Sequence, residues 1–127
     1  MQRLQRYLRV RGGEFHVVFG ADDLLLPALV LGADGVVSGC AGAFPEPFIE
    51  VYERYIQGDL SAARKAQALA SEMVWKMKAG SDMSIFKHIL SFRGIPGGRM
   101  HSPLPDLSEN EVELLRQEME PYLAKYR

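Results

Sequence analysis

Two short apolar runs, Phe15 to Phe19 (FHVVF) and Gly35 to Ser38 (GVVS), flank a helical segment that opens on Asp22-Asp23 and closes on Gly32. Neither run alternates polar with apolar, as a half-exposed strand would, and such runs belong to parallel sheets covered on both faces. Strand, helix with an acidic start, glycine stop and second strand compose a β-α-β unit, because the helix carries the chain back and leaves the strands parallel. Two strands are fewer than a parallel sheet needs for independent stability. The pattern therefore predicts a piece of a larger sheet, with free outer edges and an inward face that has no opposing strands to bury Val17, Phe19 and Val37.

Beyond this unit the period lengthens to that of helices. Ahead of it, Arg3 to Arg11 predicts a short helix with Leu4, Tyr7 and Leu8 on one face, stopped by Gly12-Gly13. A chain that opens inside a helix is expected to be cut from a longer one. Gly39 to Ala43, a run of small residues, reads as a place where a backbone or ligand approaches. Pro45 and Pro47 then open a helix from Phe48 to Gln57, with Phe48, Tyr52 and Tyr55 expected in the core and Gly58 as its stop. Asp59 caps the next helix, which carries Leu60, Ala63, Ala66, Ala70, Met73 and Met77 at intervals of three and four and runs to Gly80. Ser81 and Asp82 compete to cap a further helix through Phe92. Gly94 to Leu107 predicts an irregular loop, and Ser108 with Glu111 a capping box for a last helix, which Pro121 is expected to end or kink. The division is a segment with the β-α-β unit over 1–58 and a helical part over 59–127.

Composition narrows the function classes. The 127 residues are 47% apolar and 24% charged, with a net charge of −1. A domain of this size buries a real core, and a balance this even provides no footprint for nucleic acid. The longest apolar run, Leu24 to Leu31, contains Pro27 and falls short of a membrane span, and the charged N-terminus does not read as a secretory signal. A single cysteine, Cys40, excludes an intrachain disulfide and a cysteine metal cluster, so a cytoplasmic location without metal or cofactor is expected. No His/Glu spacing spells a metal site, and the glycines from Gly32 to Gly42 spell neither GxGxxG nor a phosphate loop. His16, between apolar strand residues, is expected to be a packed core histidine. By themselves Asp22 and Asp23 read as helix caps before they read as ligands.

In order and spacing, Gly20-Ala21-Asp22-Asp23 after a strand, Leu31-Gly32-Ala33-Asp34-Gly35-Val36-Val37-Ser38 leading into the next, and Gly58-Asp59-Leu60 resemble the dihydrodipicolinate synthase and N-acetylneuraminate lyase family. The resemblance spans nearly the whole chain. It implies the C-terminal part of a (β/α)8 barrel: α/β in class, with the last two βα units followed by a helical extension. Barrel sites lie at the C-terminal ends of strands. The resemblance places Gly20, Asp22, Asp23, Val37 and Ser38 there as substrate-binding positions, with Asp22 or Asp23 matching positions that hold substrate hydroxyls in the sugar-acid branch. Gly39-Cys40-Ala41-Gly42 departs from the Thr-Ala-Asn run common in the synthase branch, and an aldolase of deoxy sugar acids fits as well.

The family joins a lysine to the carbonyl of pyruvate or a related 2-oxo acid as a Schiff base, with a tyrosine as proton relay. Both lie on strands that precede the matched segment. The five lysines here, Lys65, Lys76, Lys78, Lys87 and Lys125, fall on predicted helices, so no catalytic residue is assigned. The expectation is a portion of a lyase or aldolase that is incomplete alone and takes a 2-oxo acid only when the missing barrel half completes it. It associates with itself or with a complementary barrel segment. The alternatives are a non-enzymatic assembly or binding module on the same surface and, should the resemblance be accidental, an unrelated α/β interaction domain.

Overall fold

The two strands pair in parallel, but each is shorter than its apolar run. The computed structural model describes residues 1–126 apart from the Arg11 side chain. In it β1 is Val18–Phe19 and β2 is Gly35–Val36, with Val18 opposite Gly35 and Phe19 opposite Val36. The Asp34 N–H donates to the Val17 carbonyl and the Val37 N–H to that of Phe19, each at 2.9 Å. The ladder takes in only Val18 and Phe19 of the run, so the apolar run outlasts the pairing.

Side-chain alternation gives the sheet a covered face and an open one. Val17 and Phe19 pack on a small cluster of Leu4, Ala28 and Ala33, and Val36 packs on the main core. This corrects the expected inward face. Of its three residues only Val37 is open, 68% exposed, together with Val18 at 57%. His16 is also corrected, because beyond the pairing it faces solvent. Its Nδ1 lies 3.1 Å from Asp34 Oδ1, while the other oxygen of Asp34 accepts the Val17 N–H at 2.6 Å. These bonds, His16 first, hold the Asp34 carboxyl below the usual carboxylate range.

The first helix, α1 (Gln2–Tyr7), gives way to a 3₁₀ turn over Val10–Gly13, shorter than predicted. It buries Leu4 but leaves Tyr7 58% exposed. A 3₁₀ turn, Asp22–Leu24, leads into α2 (Leu25–Val30), where Pro27 is the third residue and its missing N–H has no helical partner to lose. The small-residue run is itself a helix, α3 (Gly39–Ala43), which the sequence reading missed. Five residues are too few to show a helical period.

The helical part follows the predicted order: α4 (Glu46–Ile56), α5 (Leu60–Lys76), α6 (Met83–Phe92) and α7 (Glu109–Lys125). Asp59 caps α5, Asp82 prevails over Ser81 at α6, and Ser108 and Glu111 close the capping box of α7. The predicted run to Gly80 instead breaks after Lys76, where Lys78 and Ala79 turn left-handed. Phe48 and Val51 of α4 and Ala63, Ala66 and Ala70 of α5 belong to one core, which α6 and α7 close with Ile85, Ile89, Met119 and Leu123. Tyr52, expected inside, is exposed; Tyr55 is half-buried and its hydroxyl donates to the Leu29 carbonyl at 2.9 Å. Helix α7 runs past Pro121 for another turn. Leu123 is buried and the Tyr126 ring meets Phe44 edge-on at 5.7 Å, so packing holds the last turn in place.

In the loop after α6, Gly97 lies against that helix. A Cβ there would come within 2.0 Å of the Lys87 carbonyl oxygen, whereas one on Gly42 in α3 would meet nothing within 4 Å. Gly97→Ala is expected to lower stability by about 1–3 kcal/mol through overpacking, and Gly42→Ala to raise it by up to about 1 kcal/mol through helix propensity. Urea unfolding of both variants checks the pair; equal effects would refute the packing argument.

Candidate functional site

Parallel strands deliver their C-terminal ends side by side, so the segments after β1 and β2 converge. Gly20, Ala21 and Asp22 leave β1; Val37, Ser38, Gly39 and Cys40 leave β2 and turn into α3. Gly20 is exposed, with open space where a side chain would stand. Val37 is exposed beside it. Ser38 is the N-cap of α3: its hydroxyl accepts the Ala41 N–H at 2.9 Å. A cap of this kind leaves the hydroxyl proton free to donate elsewhere.

Asp22 and Asp23 do not cap the helix as expected. No side chain of the 3₁₀ turn bonds a helical N–H, and the position preceding α2 is Leu24. Asp22 is half-buried and its carboxylate neighbours Cys40, which is fully buried in α3. Burial first, and then the hydrogen bond and charge of Asp22, push the Cys40 thiol up to about 12. Asp23 turns its side chain to solvent. Among the five candidate positions the structure thus gathers Gly20, Asp22, Val37 and Ser38, and leaves the Asp23 carboxylate outside.

The capping work falls to α5. Gln67 Oε1 accepts the Leu26 N–H at 2.7 Å, while its Nε2 donates to the Asp23 carbonyl at 3.2 Å. Ser71 on the next turn shares the amide at 3.2 Å and lies 3.5 Å from the same carbonyl. One amide therefore satisfies an N–H at the start of α2 and fixes the loop after β1. Sequence reasoning missed it, since Gln67 stands 41 residues from Leu26. Its one trace is a polar residue beside the small apolar positions Ala63, Ala66 and Ala70.

None of the five lysines lies on β1, β2 or the segments that leave them. Lys65 is exposed on α5; Lys76 lies 3.8 Å from Glu118 and Lys78 3.2 Å from Asp82. Lys87 donates to the Gly97 carbonyl at 2.9 Å, and Lys125 lies 4.8 Å from the centre of the Tyr126 ring. Among the described residues no group of three His, Cys, Asp or Glu is placed to hold a metal, and no helix is long and apolar enough to cross a membrane.

The family model for the dihydrodipicolinate synthetase family matches residues 1–121. The chain belongs to this family. Among its relatives, an N-acetylneuraminate lyase of Mediterraneibacter gnavus is 29% identical over 120 residues, which are 92% of this chain and 38% of the relative. A 4-hydroxy-tetrahydrodipicolinate synthase of Methanospirillum hungatei is 34% identical over 112 residues, 88% of this chain and 38% of the relative. The wild-type sialic acid aldolase of Ruminococcus gnavus superposes with a TM-score of 0.82 at 28% identity, over 94% of this chain and 40% of the aldolase. This family member therefore spans about two-fifths of the length of the proteins it matches. Its small parallel sheet and helices correspond to part of a TIM barrel.

Two outcomes follow for the site. Because the folded thiol titrates near 12 and an ordinary one near 9.0, Cys40 adds stability that is full below about pH 9 and lost as pH rises towards 12. Cys40→Ala should flatten that part of a melting-temperature profile, and a profile unchanged by the substitution would show the thiol is not held. Gln67→Ala leaves the Leu26 N–H without its partner and is expected to cost about 1–3 kcal/mol. Hydrogen exchange at Leu26 should accelerate with it; unaltered protection would remove Gln67 from the role.

Proposed function

We propose that this chain is the C-terminal portion of a lyase or aldolase that forms a Schiff base with pyruvate or a related 2-oxo acid, and that it is catalytically incomplete alone. The observation that carries this reading is the convergence of Gly20, Asp22, Val37 and Ser38 at one end of a parallel sheet from which every lysine is absent. In a barrel that end is where substrate lies. Gly20 leaves room for substrate beside the backbone, Asp22 offers an oxygen to its hydroxyls, and the Val37 and Ser38 segment forms the adjoining wall. The nucleophilic lysine and the proton-relaying tyrosine come from strands that this chain does not contribute. Cytoplasmic location and action without a cofactor belong to the same reading.

A free amine beside the strand ends is what Schiff-base chemistry requires, and here Lys76, Lys78, Lys87 and Lys125 are engaged elsewhere while Lys65 is exposed on α5. Incubating the purified chain with pyruvate and sodium borohydride, followed by intact-mass measurement, tests the reading. No adduct is expected. A stoichiometric gain on one of the five lysines would overturn it.

A further inference from the structure

The 3₁₀ turn that carries Asp22 has little local support. One backbone bond closes it, from the Leu24 N–H to the Ala21 carbonyl at 3.1 Å, and no side chain caps it. A single turn of this kind is marginal by itself. Gly20, just ahead of it, has open space where a side chain would pack. The Asp22 carboxylate nevertheless has a defined neighbour in the Cys40 thiol, and among the described residues it is the one charged group that acts on that thiol. Support for the turn comes from α5. Gln67 and Ser71, one helical turn apart, both reach the Asp23 carbonyl, at 3.2 and 3.5 Å, and the oxygen of the same Gln67 amide accepts the Leu26 N–H at 2.7 Å. Donor and acceptor sit on one planar group, so a shift of Asp23 relative to Leu26 breaks one bond or the other. Ser71 braces the amide at 3.2 Å.

We propose that Gln67 is a positioning residue for the candidate site: from the helical extension it sets where the Asp22 carboxylate stands at the strand ends, and so which hydroxyls of a 2-oxo acid it can meet. The inference rests on the reading of Asp22 as a substrate-binding residue. Capping α2 would need only the acceptor half of the amide, on Leu26. The donor half is directed at a carbonyl of the turn itself, and Ser71 approaches the same atom. That carbonyl is open to α5 because Pro27, one helical turn further on, has no N–H to give it. Asp22 is bonded directly to the residue so held, and its Cα stands about 3.8 Å from that of Asp23.

The chain's single cysteine provides the reporter. With the cysteine Cβ isotopically labelled, Cys40 gives one NMR signal whose pH titration follows the thiol. In the parent the thiol is pushed up to about 12, first by burial and then by Asp22. Gln67→Leu keeps the bulk and removes both bonds, so the share owed to Asp22 should be lost and the titration should move down by about one pH unit, with burial keeping the rest. Ser71→Ala removes only the brace and should move it the same way by less. Leu115→Ala truncates a buried side chain of α7 and touches none of these bonds; it should lower the melting temperature and leave the thiol where it is. A titration unmoved by Gln67→Leu in a folded chain would overturn the proposal, as would one that Leu115→Ala moves equally. Should Gln67→Leu fail to fold, Ser71→Ala decides by the same criterion. The titration needs no pyruvate, which keeps the two readings apart. A lysine adduct would reject the reading of the site and leave the clamp standing, and an unmoved thiol would reject the clamp alone.

Discussion

The Gln67 amide is the hinge of the arrangement, because it joins the helical part to the loop that follows β1. A helix start buried against another helix needs a partner for its N–H groups, and α2 has neither a polar cap residue nor water-facing freedom there. By accepting from Leu26 and donating to Asp23, one side chain on α5 fixes the angle at which the chain leaves β1. Asp22, the residue just before the first of those two points, neighbours Cys40 at the ends of the strands. The geometry of the candidate site thus depends on the extension as much as on the sheet.

A second tie acts at the other end of the same helix layer. Arg93, at the end of α6, pairs with both carboxylate oxygens of Glu46 at the start of α4, and its guanidinium lies 5.0 Å from the centre of the Phe44 ring. Both side chains are largely buried, which makes a two-pronged pair more rigid than an exposed one. Phe44 also receives Tyr126 on its edge, so α4, α6 and α7 meet at one aromatic residue.

Most of this was legible where a local rule decides. The parallel pairing follows from two apolar runs around a helix, and the starts of α5, α6 and α7 follow from Asp59, Asp82 and the Ser108–Glu111 box. What was not legible depends on partners far away in sequence. Asp22 and Asp23 have the composition of caps, yet Gln67 takes that role from across the fold. His16 has apolar neighbours, but the strand around it ends before it can be buried. Pro121 lacks an N–H, and still α7 continues because Leu123 and Tyr126 have a core to reach. At the site, Ser38 was legible as a strand end but not as a cap, since α3 is too short to announce itself.

The reach of those late contacts has a kinetic meaning. Val17 and Asp34 are joined across 17 residues, and α4 and α5 are consecutive, whereas Tyr122 reaches Glu72 across 50 residues and Tyr126 reaches Glu50 across 76. Short loops close at small entropic cost and long ones at greater cost. Loop closure alone therefore favours the β-α-β unit and the α4–α5 pair ahead of the contacts that α7 makes with Glu50 and Glu72. By loop length, the costliest closure in this chain is then the one that brings the end of α7 beside Phe44, rather than the closure of its sheet.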